Sequence, residues 1–311
     1  MTETPTSVTT ERTLRQRLLF VLRGGLFAIV ILLLGLPTLL GFGLMLGLTA
    51  PGCSGGGNPA RLGLPFESIR FHSADLDRMV DGYFLPGAAP ADGAAVIVVP
   101  TGSRERGDRL GEIAVYQRAG YHVLSYDGRP CAGQTINSLG YRESALVADA
   151  LDYLATRPEV DATRVGVHGF SAGGAAAVMA AARYPQVAAV VAQGGYHDFS
   201  ASLDETTAPQ GWFGGLFRFG MDAAYRLSTG MDMNNLKPIA VIDTIAPRPI
   251  LLVYGTNEPA LDGGRLQAQA GGPNTALWEV PGAGHGNYLA VAPDAYPQRL
   301  ITFMDAALRP N

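Results

Sequence analysis

An apolar stretch near the amino terminus limits most strongly how this chain folds. Residues 24–50 form a run of 27 positions without a charged side chain. As a helix that rises about 1.5 Å per residue, this run is longer than the roughly 30 Å hydrocarbon core of a bilayer. A tilt of the helix, or a kink at Pro37, would accommodate the excess length. The sequence therefore predicts one transmembrane helix at 24–50.

The charges on either side of this stretch predict its orientation. The first basic residue after it is Arg61. The arginines before it are Arg12, Arg15, Arg17 and Arg23. Basic residues are retained on the cytoplasmic side of a membrane. We therefore expect a single-pass membrane protein with residues 1–23 in the cytoplasm and everything after residue 50 on the extracytoplasmic side.

A cleaved signal peptide is the alternative interpretation of the same stretch. The apolar region of such a peptide is about 7–15 residues long, and this one is nearly twice that length. The segment Ala50–Cys53 faintly resembles a lipoprotein cleavage site, but it lacks the large aliphatic residue three positions before the cysteine. Both observations favour an uncleaved anchor, with the membrane as a partner through this helix.

The composition fits a folded domain and argues against several classes of function. Hydrophobic residues make up 47% of the sequence and charged residues 16%, so that a sizeable core can form. The net charge is −4 and no basic run is present, which argues against a nucleic-acid partner. Cys53 and Cys131 are too few for a disulfide framework or a metal cluster, and whether they pair is left open.

The chain after residue 50 has the pattern of a single α/β domain. Residues 51–65 are rich in Gly and Pro and are typical of a linker. From residue 66 to 311, short apolar runs alternate with helical patterns at about 108–119, 141–156, 172–184 and 294–308, which predicts a mainly parallel sheet covered on both faces. The first two strands are close enough in sequence for an antiparallel hairpin. The predicted strands are Glu67–His72, Gly82–Leu85, Ala95–Pro100, Tyr121–Tyr126, Arg164–His168, Ala188–Ala192, Pro249–Tyr254 and Ala276–Val280.

A long connection between the sixth and seventh strands predicts a helical lid. About 50 residues, at 197–247, exceed an ordinary connection between neighbouring strands. These residues include several aromatic side chains that either pack the lid onto the domain or line a pocket for an acyl group. They are Trp212, Phe213, Phe217, Phe219 and Tyr225.

The segment Gly169–Gly173 fits the pattern G-x-S-x-G, with Ser171 as the candidate nucleophile. Small neighbours are needed because the serine stands in a strained turn between a strand and a helix, with its Oγ exposed. A second match, Gly52–Gly56, follows the apolar stretch without a strand before it, so we reject Ser54. Ser171 instead follows an apolar strand directly and precedes an Ala-rich helix, which is the context that this motif requires.

His285 is the candidate base because it lies in a Gly-rich loop after the last strand, downstream of the serine. His197, at the start of the lid, is the rival. The other histidines lie within predicted strands and are interpreted as structural. They are His72, His122 and His168.

The acid and the oxyanion donors are expected in two further turns. Glu258 follows the seventh strand, where the acid of such a triad belongs, and Asp262 is the alternative. The third strand ends in a turn of small residues that contains Gly102. Its backbone N–H, together with that of Ala172, is expected to face a developing oxyanion.

In order along the chain, these motifs resemble those of the α/β-hydrolase superfamily, specifically its bacterial esterase, thioesterase and peptidase-like branch with an amino-terminal anchor. The resemblance runs from about residue 66 to 308. Two departures stand out: Pro100-Thr101 replaces a common His-Gly, and Glu258 replaces the commoner Asp. The resemblance implies an α/β-hydrolase fold, and a serine nucleophile argues against dehalogenation and epoxide opening. The motifs are Pro100–Ser103, Tyr126–Arg129, Gly169–Gly174, Ala246–Pro249 and Gly282–His285.

We therefore expect a serine hydrolase that cleaves an ester or thioester of a small-molecule acyl substrate without a metal or cofactor. A peptidase with the same triad is one alternative. The other is a hydrolase-like domain that binds a ligand without catalysis, because the fold alone does not dictate function.

Overall fold

The computed structural model describes residues 14–133 and 135–309. Arg12, which contributes to the predicted orientation, lies outside these residues. Within them an eight-stranded sheet has the order β1-β2-β4-β3-β5-β6-β7-β8. The strands are β1 (Glu67–Ser73), β2 (Arg78–Leu85), β3 (Ala95–Val99), β4 (His122–Tyr126), β5 (Val165–Phe170), β6 (Val187–Gln193), β7 (Ile250–Gly255) and β8 (Thr275–Val280).

The sheet is mainly parallel, with an antiparallel edge as the sequence predicts. Strand β2 runs antiparallel to both β1 and β4, and the remaining neighbours are parallel. Side chains of β3 alternate between two cores: Ile97 packs into one, and Val96 and Val98 pack into the other. A strand that is buried on both faces is continuously apolar, which is why the run at 95–99 shows no alternation of polarity.

Helices cover both faces of this sheet. The described helices are α1 (Leu14–Thr49), α2 (Leu110–Arg118), α3 (Arg129–Gly133), α4 (Leu146–Ala155), α5 (Ala172–Arg183), α6 (Phe199–Thr207), α7 (Gly211–Thr229), α8 (Leu261–Gly271), α9 (Tyr288–Val291) and α10 (Ala295–Leu308). Helices α2 and α10 pack on one face, while α4, α5 and α8 pack on the other. The predicted helical patterns at 108–119, 141–156, 172–184 and 294–308 correspond to α2, α4, α5 and α10.

Helix α8 is not predicted, because its glycines conceal the pattern. Added Cβ atoms at Gly263 and Gly264 would lie 2.3 Å from the His197 ring and 2.5 Å from the Tyr254 ring. These positions therefore require Gly to let the helix approach the sheet and lid. Glycine has a low intrinsic helix propensity, and tertiary packing overrides it here.

Two helices, α6 and α7, form the long connection between β6 and β7, and α1 packs against the second of them. Helix α1 continues through Pro37, and its described part reaches back to residue 14, ten residues before the predicted start. Its buried positions repeat every fourth residue and so form one stripe along the helix. They are Pro37, Gly41, Met45 and Thr49.

Residues 51–65 lie against the domain, although their composition predicts a linker. Cys53 and Cys131 form a disulfide with a Cα–Cα distance of 4.8 Å, which answers the question that the sequence left open. The N–H of Ser54 donates to the carbonyl of Ser103 (2.9 Å). The segment is thus attached to the loop that follows β3.

Candidate active site

Ser171 stands in a strained turn between β5 and α5. Its φ is 55° and its ψ is −126°, a backbone conformation that costs a residue with a Cβ roughly 1–3 kcal/mol. The N–H of Ser171 donates to the carbonyl of Gln193 at the end of β6 (2.7 Å), which holds the turn in place. This conformation is the one that the motif predicts.

Three of the predicted site residues form a hydrogen-bonded chain. Nε2 of His285 lies 3.1 Å from Oγ of Ser171, and Nδ1 of His285 lies 2.6 Å from Oε1 of Glu258. An ionised carboxylate only accepts hydrogen bonds, so Nδ1 carries the proton and Nε2 is free to accept from the serine hydroxyl. The arrangement supplies a serine hydroxyl, a base and a carboxylate that fixes the tautomer of the base.

Glu258 is buried and is held in its charged form. Its Oε2 accepts hydrogen bonds from the N–H of Gly255 (2.9 Å) and the hydroxyl of Tyr288 (2.7 Å). Burial alone would raise the pKa of Glu258, but the hydrogen bonds from His285, Gly255 and Tyr288 outweigh it and hold this pKa below its usual value. Glu258 is therefore ionised at neutral pH and can accept the hydrogen bond from Nδ1 of His285.

The alternative residues are not part of this hydrogen-bonded chain. Asp262, in the first turn of α8, is exposed and pairs with Arg265 (2.9 Å). His197 is buried in the lid and lines the cavity beside Ser171. His168 is fully buried against Tyr116 (2.8 Å), and burial lowers the pKa of His168 to about 4.

The two predicted oxyanion donors flank the nucleophile turn. Gly102 is buried with φ +51°, and an added Cβ would lie 2.9 Å from Nδ2 of Asn137. The preceding Thr101 donates its hydroxyl to the carbonyl of Phe170 (3.1 Å), so this loop is attached to the residue before Ser171. Ala172 is the first residue of α5, where backbone N–H groups have no intrahelical partner.

A cavity of about 250 Å³ opens beside Ser171. Its walls come mainly from the start of the lid and from the turn after β7. Its lining residues are Ser171, Gly194, Tyr196, His197, Phe199, Ser202, Glu205, Thr206, Pro259, Ala260 and Gly263. The aromatic side chains in this lining are Tyr196 and Phe199. The five lid aromatics considered from the sequence are not among its lining residues.

Sequence reasoning missed three residues that shape the site. Gly194 has φ +55°, and an added Cβ would lie 2.5 Å from Oε1 of Glu258 and 2.9 Å from Nδ1 of His285. Tyr288 holds the carboxylate, and the ring of Phe170 packs 4.6 Å from the imidazole of His285. Phe170 occupies the first of the two variable positions of the G-x-S-x-G motif. Nothing in the sequence distinguishes Gly194 or Tyr288 from other residues of their type.

Comparison with known proteins agrees with this geometry. The model of the prolyl oligopeptidase family matches residues 112–306, which is more than half of the chain and includes the hydrogen-bonded chain of Ser171, His285 and Glu258. The chain belongs to the prolyl oligopeptidase family. Members of this family are serine hydrolases of the α/β-hydrolase superfamily, and the resemblance inferred from the motifs is thereby confirmed.

Individual relatives of this prolyl oligopeptidase family member are distant. Thiohydrolase apmlB of Arthrinium phaeospermum is 34% identical over 125 residues, which are 37% of this chain and 40% of that relative's length. The structure of the Pyrococcus furiosus esterase Pf2001 matches with a TM-score of 0.67 and 17% identity, over 84% of this chain and 99% of the esterase. The α/β hydrolase GrgF from Penicillium matches with a TM-score of 0.62 and 18% identity, over 79% of this chain and all of GrgF. At these identities the two structures show the fold.

Proposed function

We propose that this serine hydrolase cleaves a carboxylic ester or thioester through an acyl-enzyme on Ser171. The observation that carries the proposal is the hydrogen-bonded chain of Ser171, His285 and Glu258, whose serine lines a cavity. The esterase and thiohydrolase names of two similar proteins support this substrate class.

The geometry accounts for each step of such a reaction. Oγ of Ser171 attacks the acyl carbonyl while Nε2 of His285 takes its proton, and the imidazolium returns that proton to the leaving alcohol or thiol. Glu258 stabilises the imidazolium. His285 then takes a proton from water, which attacks the acyl-enzyme and releases the acid. The N–H groups of Gly102 and Ala172 receive the oxyanion, and losing one such donor typically costs about 2.7–4 kcal/mol of transition-state stabilisation.

The test compares the serines of the two segments that fit the pattern G-x-S-x-G, Ser171 and Ser54. Ser171→Ala should abolish both ester hydrolysis and labelling by a fluorophosphonate probe, and Ser54→Ala should leave both unchanged. Circular dichroism of each variant checks that the fold is retained. Undiminished turnover by folded Ser171→Ala would remove the proposal, and a folded native protein that resists labelling would instead favour a non-catalytic binding domain.

Peptide hydrolysis with the same triad is the second candidate. The family is named for an oligopeptidase, and Glu205 contributes a carboxylate to the cavity wall that suits a free amino group. Activity on an aminoacyl amide that falls in Glu205→Gln, while butyrate ester hydrolysis is kept, would favour this candidate over an esterase.

We further propose that α1 is retained as a membrane anchor with the hydrolase domain on the extracytoplasmic side. Among the described residues, α1 is the helix long and apolar enough to cross a membrane. Its stripe from Pro37 to Thr49 is buried, so that cleavage at residue 50 would strip the lid of its packing partner. The Cys53–Cys131 disulfide supports an oxidising compartment and leaves Cys53 no free thiol for a lipid.

A further inference from the structure

The lid helix α7 lies along α1 in close, backbone-to-backbone contact. An added Cβ at Gly41 would lie 2.0 Å from the carbonyl oxygen of Phe217, and one at Gly220 would lie 2.0 Å from the carbonyl oxygen of Thr38. Paired glycines of this kind allow membrane helices to approach each other closely. Gly41 of α1 and Gly220 of α7 therefore allow the lid to pack closely against the apolar helix.

The two helices run in the same direction, which decides the end of α7 that approaches the membrane. Near the carboxyl ends of both helices, the hydroxyls of Thr49 and Ser228 lie 3.1 Å apart. The glycine contacts lie earlier in both helices. The first turns of α7 thus extend toward the middle of the apolar stretch of α1. About 20 residues span a bilayer, so a span that starts at Gly24 would end near Gly43 and would include Thr38 and Gly41.

The outward face of these first turns is apolar. Trp212, Leu216 and Phe219 are spaced four and three residues apart and therefore share one face of α7. The side chains of Trp212 and Phe219 are 59% and 63% exposed. The one charged residue between Glu205 and Asp222 is Arg218.

Arg218 does not interrupt this apolar face, because it is turned toward α6. Its side chain is 16% exposed, and its guanidinium pairs with Asp204 (3.0 Å) and donates to the hydroxyl of Ser200 (2.6 Å). The first strongly exposed charge along α7 is Arg226, just over two turns further on. Pairing with Asp204, whose own side chain is 62% exposed, thus neutralises the one charge on this part of α7 that would oppose burial of this face in hydrocarbon.

We propose that residues 208–220, the lid tip, insert into the hydrocarbon of the bilayer beside α1. The proposal rests on the proposed retention of α1 as an anchor. Continuity argues for lipid as the occupant, since the exposed face of the lid tip adjoins exposed leucines of α1 that lie at the same level of the span. These leucines are Leu36, Leu39 and Leu40.

Insertion of the lid tip places the active site at the membrane surface. Helix α6 forms one wall of the cavity beside Ser171 through Phe199, Ser202 and Thr206, and it ends immediately before the lid tip. The mouth of the cavity therefore lies close to the acyl chains. The substrate class that fits this location is an amphiphilic ester or thioester that partitions into the bilayer.

The chain contains two tryptophans, Trp212 and Trp278, which makes the depth of the lid tip measurable. In the full-length protein, Trp278→Phe leaves Trp212 as the reporter, and Trp212→Phe leaves Trp278 on the edge strand β8 as the matched control. Both variants are reconstituted into phosphatidylcholine vesicles with brominated acyl chains. We expect Trp212 to lose more than about half of its emission while Trp278 keeps its own.

Each other outcome overturns the proposal. A protein that stays in carbonate-washed membranes while Trp212 resists quenching keeps its anchor but does not insert the lid tip. A protein that is lost from washed membranes has no anchor. Resistance to quenching together with disulfide cross-linking between two copies of Trp212→Cys identifies a second copy as the occupant.

Activity on two substrates distinguishes the role of the lid tip from the role of the catalytic residues. Phe219→Ser should lower hydrolysis of a long-chain ester embedded in vesicles by roughly tenfold, because it removes an exposed aromatic side chain from the proposed lipid contact. Hydrolysis of a soluble short-chain ester should be unchanged. Equal losses on both substrates would contradict the lid-tip proposal, whereas loss of the soluble activity in Ser171→Ala tests the proposed function independently.

Discussion

At the scale of single residues, the site depends on the absence of a side chain at Gly194. Gly194→Ala would place a Cβ among the carboxylate of Glu258, the hydroxyl of Tyr288 and the imidazole of His285, all within 3 Å. A displacement of about 1 Å in a catalytic group can cost a hundredfold in rate, and we expect at least about that loss in kcat. Ester turnover of the folded variant measures it.

Gly215→Ala is the matched control for this substitution. Gly215 has no atom within 4 Å of an added Cβ and no positive φ. Its replacement should leave kcat unchanged. An active Gly194→Ala enzyme would mean that the hydrogen-bonded chain of Ser171, His285 and Glu258 tolerates movement of the acid.

Tyr288 gives a prediction with a defined pH dependence. Hydrogen bonds hold the pKa of Glu258 below its usual 4.5, so the folded state binds fewer protons than the unfolded state around that pH. The stabilisation is therefore complete above about 4.5 and is lost as the pH falls through the lower, folded pKa. Tyr288→Phe removes one donor to the charged form and should cost about 1.5–3 kcal/mol at neutral pH. Denaturant unfolding should show this difference shrinking below pH 4.5, whereas a constant difference would assign the loss to packing.

The residue-level roles were partly predictable from the sequence. Chain order and the strand–turn–helix context single out Ser171, His285 and Glu258, and the structure brings their side chains together. Gly194 and Tyr288 act through approaches between segments that are far apart in sequence. No local pattern marks them.

At the scale of elements, a disulfide attaches the segment after α1 to helix α3. The disulfide between Cys53 and Cys131 closes a loop with a sequence separation of 78 residues. In the chain-entropy account, a crosslink of that span stabilises the folded state by up to about 4 kcal/mol. Cys131→Ser should lower the free energy of unfolding by up to that amount, as measured by denaturant titration.

Reductant supplies the control for the crosslink. It should destabilise the native protein and leave Cys131→Ser unaffected. An equal effect of reductant on both proteins would show that the loss does not arise from this crosslink.

Strands were more predictable than helices because most of them are buried on both faces. Continuous apolar runs predict β3 to β7 to within two residues at each end. Helix α8 was missed because three of its residues are glycines, two of which let the helix approach His197 and Tyr254. The pairing of the cysteines depends on distance in space, which the sequence does not contain.

At the scale of the whole molecule, the apolar helix and the lid form one packing unit. Met45 of α1 is fully buried with Met221 and Tyr225 of α7 and with Leu139 from the main domain. Hydropathy predicts that residues 24–50 cross a membrane, but it does not indicate that their last three turns also pack against a lid. The stripe at every fourth residue becomes visible only when α7 lies beside it.

This unit makes Met45 the strongest test of the coupling between α1 and the lid. Met45→Ala in the full-length protein in nanodiscs removes a buried side chain and should cost about 2–5 kcal/mol of local stability. Hydrogen exchange should accelerate across α7 and leave β5 and β7 unchanged, because those strands lie in separate cores. Leu46→Ala, at the exposed neighbouring position, should leave exchange in α7 as it is. If both variants exchange like the native protein, α1 contributes nothing to the order of the lid and serves only as a tether.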